Sequence, residues 1–253
     1  MNPAAFEIFG ISIRWYGILI GTGMLIGAYL AMREARRVGL NDETLLDALI
    51  IALPAAIVGA RLYYVIFNLG AYDSFLEAIN FRNGGLAIHG GVIAGVGSFW
   101  IFSKIKNLNF FKWLDVAAPS IILGQAIGRW GNFINQEAHG GQTDLPWGIM
   151  VDGVKVHPTF LYESIGNFII FLVLMGLRKK KKFDGQLIAL YMIFYSIIRF
   201  FIEGLRTDSL YFYDFRVAQL ISVALIIAGG LLYYIMGQKA KNQVLLDQKP
   251  KKK

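Results

Sequence analysis

Long apolar runs broken by short polar segments recur along the whole chain. Runs of about twenty residues with few charges have the length of a membrane-spanning helix. Seven are readable, at about 15–32, 45–67, 86–103, 114–131, 159–177, 186–204 and 215–236. No polar half remains that could form a separate soluble domain, so residues 1–253 read as one polytopic membrane domain. The longest connection, about 132–158, has a different pattern. Trp147-Gly-Ile-Met-Val-Asp-Gly-Val-Lys-Val156 sets two β-prone runs around Asp152-Gly153, a type I′ turn signal. Pro158 then falls where the first residue of span five is expected. The fold class predicted is an all-α integral membrane protein of seven transmembrane helices, with a small extracytoplasmic cap containing a β-hairpin.

Composition agrees with the pattern: 56% of residues are hydrophobic and 17% charged. The formal charge is +8, and its distribution says more than its sum. Seventeen of the 25 lysines and arginines fall after span one, between spans three and four, between spans five and six, and in the 237–253 tail. The opposite loops carry five: Arg14, Arg82, Lys155, Arg206 and Arg216. By the positive-inside rule the N-terminus lies outside and the basic tail in the cytoplasm. Span one has no basic n-region and no small-residue cleavage site before it, so it reads as a retained helix. The tail suits solvent or anionic lipid, and without interleaved aromatics it does not suggest nucleic acid. The chain has no cysteine, hence no disulfide, thiolate nucleophile or cysteine metal site. His89, His139 and His157 are too scattered to suggest a metal, and no cofactor is expected.

Three arginines, Arg61, Arg129 and Arg199, fall inside spans, where charge is costly and marks function. Arg129 belongs to Gly128-Arg-Trp-Gly-Asn-Phe-Ile-Asn-Gln-Glu137, which crowds polar groups onto the end of an apolar stretch. Arg129, Asn132 and Gln136 share a face if that helix continues so far. A guanidinium beside amides suits an anionic head group, although a snorkelling arginine at a helix end gives the same pattern. Span six carries Tyr191, Tyr195, Arg199 and Glu203 at intervals of four, with Arg206 one turn on. Arg199 and Glu203 can pair with each other or serve a binding site. His89 stands among Gly84, Gly85, Gly90 and Gly91, where bare backbone admits either a ligand or another helix. It is the best candidate proton acceptor in the spans. Gly91-Val-Ile-Ala-Gly95 favours helix packing, as do Gly17 to Gly21 and Gly23 to Gly27 in span one. Trp15 fits an interfacial belt, and Tyr16 can point inward.

Together these segments resemble the bacterial phosphatidylglycerol–prolipoprotein diacylglyceryl transferases over nearly the whole chain. The resemblance rests on Trp15-Tyr16-Gly17, Gly84 with His89-Gly90-Gly91, and the Gly128 to Glu137 run. It continues through His157-Pro-Thr-x-Leu-Tyr-Glu163 and the face Tyr195, Arg199, Glu203. It implies transfer of a diacylglyceryl group from phosphatidylglycerol to the thiol of a lipobox cysteine in a preprolipoprotein signal peptide. A thioether forms and glycerol phosphate leaves. On the family pattern Arg129 and Arg199 bind and polarise the phosphate, and His89 accepts the thiol proton or positions the thiol. Tyr16, Gly84, Gly90, Asn132, Glu137, Gly140, Tyr195 and Glu203 match further positions of the site. The expected setting is the bacterial cell membrane, with membrane lipids as neighbours and the protein a monomer. The alternative class is an anion or lipid transporter that uses the intramembrane arginines as a path.

The orientation has a direct test, because any introduced cysteine is unique. A cysteine in the 132–156 loop should react with an impermeant thiol reagent on intact cells. One at Lys180 should react only after permeabilisation. The reverse pattern would overturn the topology.

Overall fold

The structure is a computed structural model that describes residues 3–8, 10–72, 74–80 and 84–247. Arg82, Asn83, Lys249 and Lys251 to Lys253, which figure in the charge and glycine patterns above, lie outside the described residues. The chain is a multi-pass membrane protein: among the described residues seven helices are long and apolar enough to cross a membrane. They are α1 (Trp15–Arg37), α2 (Glu43–Ile66), α4 (Ile88–Ile105), α5 (Phe110–Ile134), α6 (Thr159–Leu177), α7 (Gln186–Leu205) and α8 (Val217–Asp247). A short helix α3 (Phe75–Ile79) lies between α2 and α4. Three two-stranded antiparallel hairpins join them: β1–β2 (Ala4–Ile8, Ile11–Arg14), β3–β4 (Ile149–Val151, Val154–Val156) and β5–β6 (Tyr211–Phe212, Phe215–Arg216).

The hairpin predicted in the long connection is β3–β4. Asp152 and Gly153 both have positive φ, +49° and +79°, as a type I′ turn requires. Pro158 sits one position earlier than predicted. It caps α6, and its carbonyl accepts from the N–H groups of Leu161 and Tyr162. The helical face expected to run from Arg129 to Gln136 stops short. α5 ends at Ile134, and Gln136 takes a left-handed φ of +55° while Glu137 N–H closes onto the Asn132 carbonyl. α1 and α8 run past the apolar stretch that announced them. The α1 extension ends in Arg36 and Arg37, which complement the C-terminal dipole and pair with Asp42 and Glu34.

The chain forms two compact units. In the first, residues 32–113, α2 packs on α4 through small residues. A Cβ at Gly59 would lie 2.2 Å from the Ala94 Cβ, and one at Gly90 would lie 2.3 Å from the Gly59 carbonyl. Gly91 and Gly95 face Ala56 and Ala60 across the same seam. This is the close approach that small residues allow between membrane helices, where the hydrophobic effect contributes nothing.

The second unit comprises residues 1–31 and 114–253. Its apolar core is Ala118 and Ile122 of α5, Ile170 and Leu174 of α6, and Leu187 and Ile188 of α7. Gly23 and Gly27 of α1 pack on Gly124 and Ser120 of α5. Gly17 and Gly21, expected to do likewise, meet nothing within 4 Å. One end of the unit is fastened by Asp115, a fully buried residue of α5. Its carboxylate accepts from the backbone N–H groups of Gly185 (2.8 Å) and Ile188 (3.0 Å) and from Lys181 Nζ (3.1 Å). α7 has no side-chain cap of its own. Asp115 therefore supplies, from another helix, the acceptor that the orphan donors of α7 need. Lys181 also pairs with Asp184 at 2.8 Å. Burial depresses the Lys181 ammonium, but its two carboxylate partners more than offset this and hold it above the usual lysine range. Asp115→Ala should lower the folding stability of the purified protein by about 3 kcal/mol, as breaking a buried pair does. Asp115→Asn keeps an acceptor and should lose less. Equal melting of both variants with wild type in detergent would remove this role.

Candidate functional site

α5 rises to Arg129 near its C-terminal end, α6 starts just before Glu163, and α7 ends just after Arg199 and Glu203. Three helices thus deliver their charged residues to one end of the second unit. Glu163 is the centre. One carboxylate oxygen lies 2.5 Å from a terminal nitrogen of Arg129, and the other 3.1 Å from a terminal nitrogen of Arg199. The Glu163 side chain is 2% exposed, against 22% for Arg129 and 17% for Arg199, so the arginine side chains are partly accessible and the carboxylate is not. Arg199 pairs with Glu203 at 2.7 Å, the i,i+4 contact its spacing allows. Arg206 approaches Glu203 at 3.9 Å and forks onto Asp208 at 2.6 Å. Burial would raise the Asp208 carboxyl, but the Arg206 fork more than offsets it and holds that group below the usual range.

A second arm leads outward from Arg129. Its guanidinium donates to Asn132 Oδ1 at 3.4 Å. Asn132 Nδ2 donates to Glu137 at 2.9 Å, and Asn135 joins there at 3.2 Å. Inward, Tyr195 lies within electrostatic reach of Arg129, Arg199 and Glu163. Tyr191 stacks on Tyr195 and accepts from Gln125 Nε2 at 3.0 Å. Arg129, Asn132, Glu137, Tyr195, Arg199 and Glu203 are therefore brought together; spacing alone placed Arg129 with Asn132, and Tyr195 with Arg199 and Glu203, on common helix faces. Glu163 was visible as an intramembrane acid but was not counted among the site residues, and Gln125 was missed. A glutamine inside an apolar helix was the signal available for it.

The other expected residues have plainer surroundings. Gly140 lies where the long loop meets the end of α7. Its N–H donates to the His157 carbonyl at 2.9 Å, and the next N–H, of Gly141, donates to the Leu205 carbonyl at 3.0 Å. A Cβ on Gly140 would come within 2.7 Å of the His157 Cβ. Thr159 Oγ1 donates to the Ala138 carbonyl, tying the same loop to the start of α6. The Tyr16 ring packs against Gly131, where a Cβ would lie 2.3 Å from it. Gly84, His89 and Gly90 belong to the 32–113 unit. His89 is exposed in the first turn of α4 with its ring 6.1 Å from that of Tyr63. Gly90 is buried in the α2–α4 seam, and Gly84 presents its carbonyl to Arg61 at 2.9 Å.

Arg61 is unlike the other two intramembrane arginines. It donates to the backbone carbonyls of Glu77, Ala78, Gly84 and Gly85 and stacks on Tyr72. It organises the segment between α2 and α4. Gly84 and Gly85 have φ of +87° and +77°, and a Cβ on Gly85 would lie 2.5 Å from an Arg61 nitrogen. Among the described residues no three metal-ligating side chains converge.

Beside the arginines an apolar groove of about 370 Å³ runs between α5 and α6. Trp130 and Ser164, hydrogen-bonded at 3.2 Å, form its polar edge, and Leu123, Ala126 and Phe168 line it. Each edge residue directly follows a charged one, Arg129 or Glu163. The polytopic membrane protein thus sets two guanidiniums at the end of its membrane helices next to an apolar groove, groups of the kind that suit an anionic head and an apolar tail.

The chain belongs to the prolipoprotein diacylglyceryl transferase family, whose pattern matches residues 3–235. It is 55% identical over 245 residues to the phosphatidylglycerol–prolipoprotein diacylglyceryl transferase of Clostridioides difficile strain 630, covering 96% of this chain and 99% of that one. It is 56% identical to the protein of the same name in Finegoldia magna, covering 97% and 98%, and 49% identical to that of Clostridium botulinum strain Loch Maree, covering 95% and 99%.

The bridging role of Glu163 gives a rank order for stability. Glu163→Ala leaves two guanidiniums without their shared partner and should cost about 3–5 kcal/mol. Glu203→Ala leaves Arg199 still paired to Glu163, and Arg206 to Asp208, and should cost less. Thermal melting of the two variants in detergent checks this, and a larger loss from Glu203→Ala would move the centre of the cluster to α7.

Proposed function

We propose that this protein transfers the diacylglyceryl group of phosphatidylglycerol to the lipobox cysteine thiol of a preprolipoprotein, the first step of lipoprotein maturation. The sulfur attacks the glyceryl carbon, the bond from that carbon to a phosphate oxygen breaks, and glycerol phosphate departs with the electron pair. The observation that carries this reading is the guanidinium pair of Arg129 and Arg199, held by one buried carboxylate while both arginine side chains stay partly exposed. Negative charge grows on the leaving phosphate, and donors already fixed in place stabilise it without reorganising.

In this reading Arg129 and Arg199 are catalytic groups that bind and polarise the phosphate. His89 is the third, accepting the thiol proton. The side chain of a free thiol has a pKa of about 8.5, so a base raises its reactive fraction near neutrality. Asn132, Glu137, Tyr195 and Glu203 orient the arginines and meet the head group, and Tyr16 borders the site. Gly84, Gly90 and Gly140 contribute through the backbone they allow. The apolar groove between α5 and α6 accommodates an acyl chain. The protein works as a monomer in the bacterial cell membrane, with its N-terminus outside, its basic tail in the cytoplasm and the guanidiniums at the outer leaflet.

The test is mass spectrometry of a synthetic lipobox peptide incubated with purified protein and phosphatidylglycerol. Addition of a diacylglyceryl group to the cysteine is expected. Unmodified peptide, with anion flux in proteoliposomes instead, would replace the transferase reading by a transporter. Arg129→Lys and Arg199→Lys should both be poor enzymes, because an ammonium cannot make the two-pronged phosphate contact. Wild-type turnover in both would show that bulk charge suffices. A general base contributes about 10²–10⁴ in rate, so His89→Gln should bind lipid normally and transfer at most about a hundredth as fast. Raising the pH should partly rescue it, since more thiol then ionises unaided. Equal loss at every pH with weakened lipid binding would make His89 a head-group contact.

A further inference from the structure

One turn inward from Glu163, on the same face of α6, stands Asn167. Its side chain has no exposure at all. Among the described residues neither its Nδ2 nor its Oδ1 has a hydrogen-bond partner. The same holds for the hydroxyl of Ser196, fully buried in α7, and for the Oε1 of Gln125 in α5. At 1.5 Å of rise per residue, Asn167 lies about 6 Å inward of Glu163, Gln125 about 6 Å inward of Arg129, and Ser196 about 4.5 Å inward of Arg199. Four unpaired polar atoms from three helices therefore share one level, directly beneath the guanidinium pair.

The level is bracketed by bonds between the same helices. Toward the arginines, Ser164 Oγ donates to the Ala126 carbonyl at 2.9 Å and joins α6 to α5. Inward, the Gln125–Tyr191 hydrogen bond joins α5 to α7. Gly166 faces Ile198, where a Cβ would lie 2.8 Å from the isoleucine side chain, and brings α6 against α7. A buried polar atom left unpaired is costly, so four together call for a partner. A small, uncharged partner that both donates and accepts is water.

We infer that Gln125, Asn167 and Ser196 bind internal water, and that Asn167 is a positioning residue which holds Glu163 through it. The hydrated layer is the inner wall of the site. It satisfies the amide and hydroxyl groups on its inner side and offers donors to the Glu163 carboxylate and the Tyr195 hydroxyl on the other. Glu163 in turn sets the spacing of Arg129 and Arg199. The positional role rests on the transferase reading; the hydration does not.

Two measurements separate them. In nanodisc-embedded protein with labelled asparagine amides, Asn167 should show cross-relaxation with water, assigned by its loss in Asn167→Leu. No such signal overturns the hydrated layer, whatever the enzyme does. In the transfer assay, Asn167→Leu should lower kcat roughly tenfold or more with KM for phosphatidylglycerol nearly unchanged, the mark of displaced catalytic groups. Asn167→Ser, which leaves room for a further water, should recover most of that loss. If Asn167 is only an unpaired polar group in the core, Asn167→Leu removes a penalty instead. The variant would then melt higher than wild type and turn over normally, and the positioning role would fail. Should Asn167→Leu not fold, Ser196→Ala is read in the same assay, and wild-type kcat there overturns the proposal.

Discussion

The Glu163 carboxylate, shared between two guanidiniums, is the contact around which the 1–31 and 114–253 unit is arranged. α5, α6 and α7 each supply one of its members, so the three helices must end at matching heights. Charges in a low-dielectric setting attract strongly but are costly to desolvate, and the balance is favourable only where geometry is held. Here it is held from several sides. Gly140 and Gly141 stitch the long loop to His157 and the end of α7. Trp130 and Ser164 link α5 to α6 beside the pair. Arg216 donates to the Glu203 carbonyl and fixes the last turn of α7 from β6. At the opposite end of the same helices Asp115 closes α5 onto α7. The bundle is thus fastened at both ends by a buried carboxylate, with the apolar layer of Ile122, Leu174 and Leu187 between.

Arginine is used in a second way in the 32–113 unit. Among the described residues four backbone carbonyls, and no carboxylate, accept from Arg61. A planar donor fork on carbonyls shapes a loop, whereas the same fork on a carboxylate leaves a charged pair that can meet a ligand. Spacing cannot separate the two uses, because the accepting carbonyls lie 16 to 24 residues away along the chain. The glycines around His89 follow the same logic. Gly90 is small so that α2 and α4 can touch, and Gly85 is small so that Arg61 can reach its carbonyl.

Much of this architecture was legible in the sequence, for a physical reason. A bilayer forces each spanning segment to satisfy its own backbone, so apolar runs can be little else than helices. The helix ends were less legible. α1 and α8 continue into polar sequence, where nothing in the hydropathy marks the boundary. The Asp152-Gly153 turn could be read because its chemistry is local, while the β1–β2 and β5–β6 hairpins lack such a dipeptide and escaped notice. In the site, the i,i+4 pair of Arg199 and Glu203 followed from spacing alone. The bridging by Glu163 did not, since it depends on how α6 meets α5 and α7. That Asn167 is fully buried, and that its amide and the Gln125 carbonyl lack partners, depends on the same packing, even though amides inside apolar helices could be seen in the sequence.

The charge balance of the cluster bears on how a reaction there could turn over. Arg129, Arg199 and Arg206 are ion-paired with Glu163, Glu203 and Asp208, so the formal charges of these six residues cancel. A guanidinium has five N–H donors, and Glu163 takes one from each of its two arginines in close contact. A phosphate can therefore add to the remaining donors without displacing the carboxylate that positions them. An unbalanced pair of arginines would attract the substrate phosphodiester and hold the more highly charged product phosphate still more tightly. A neutral cluster with directed donors behaves differently. Its net field on a distant anion is small, while its local dipoles act on charge that develops within hydrogen-bonding reach. That favours the transition state over both bound ground states, which is the distinction that raises turnover and not merely affinity.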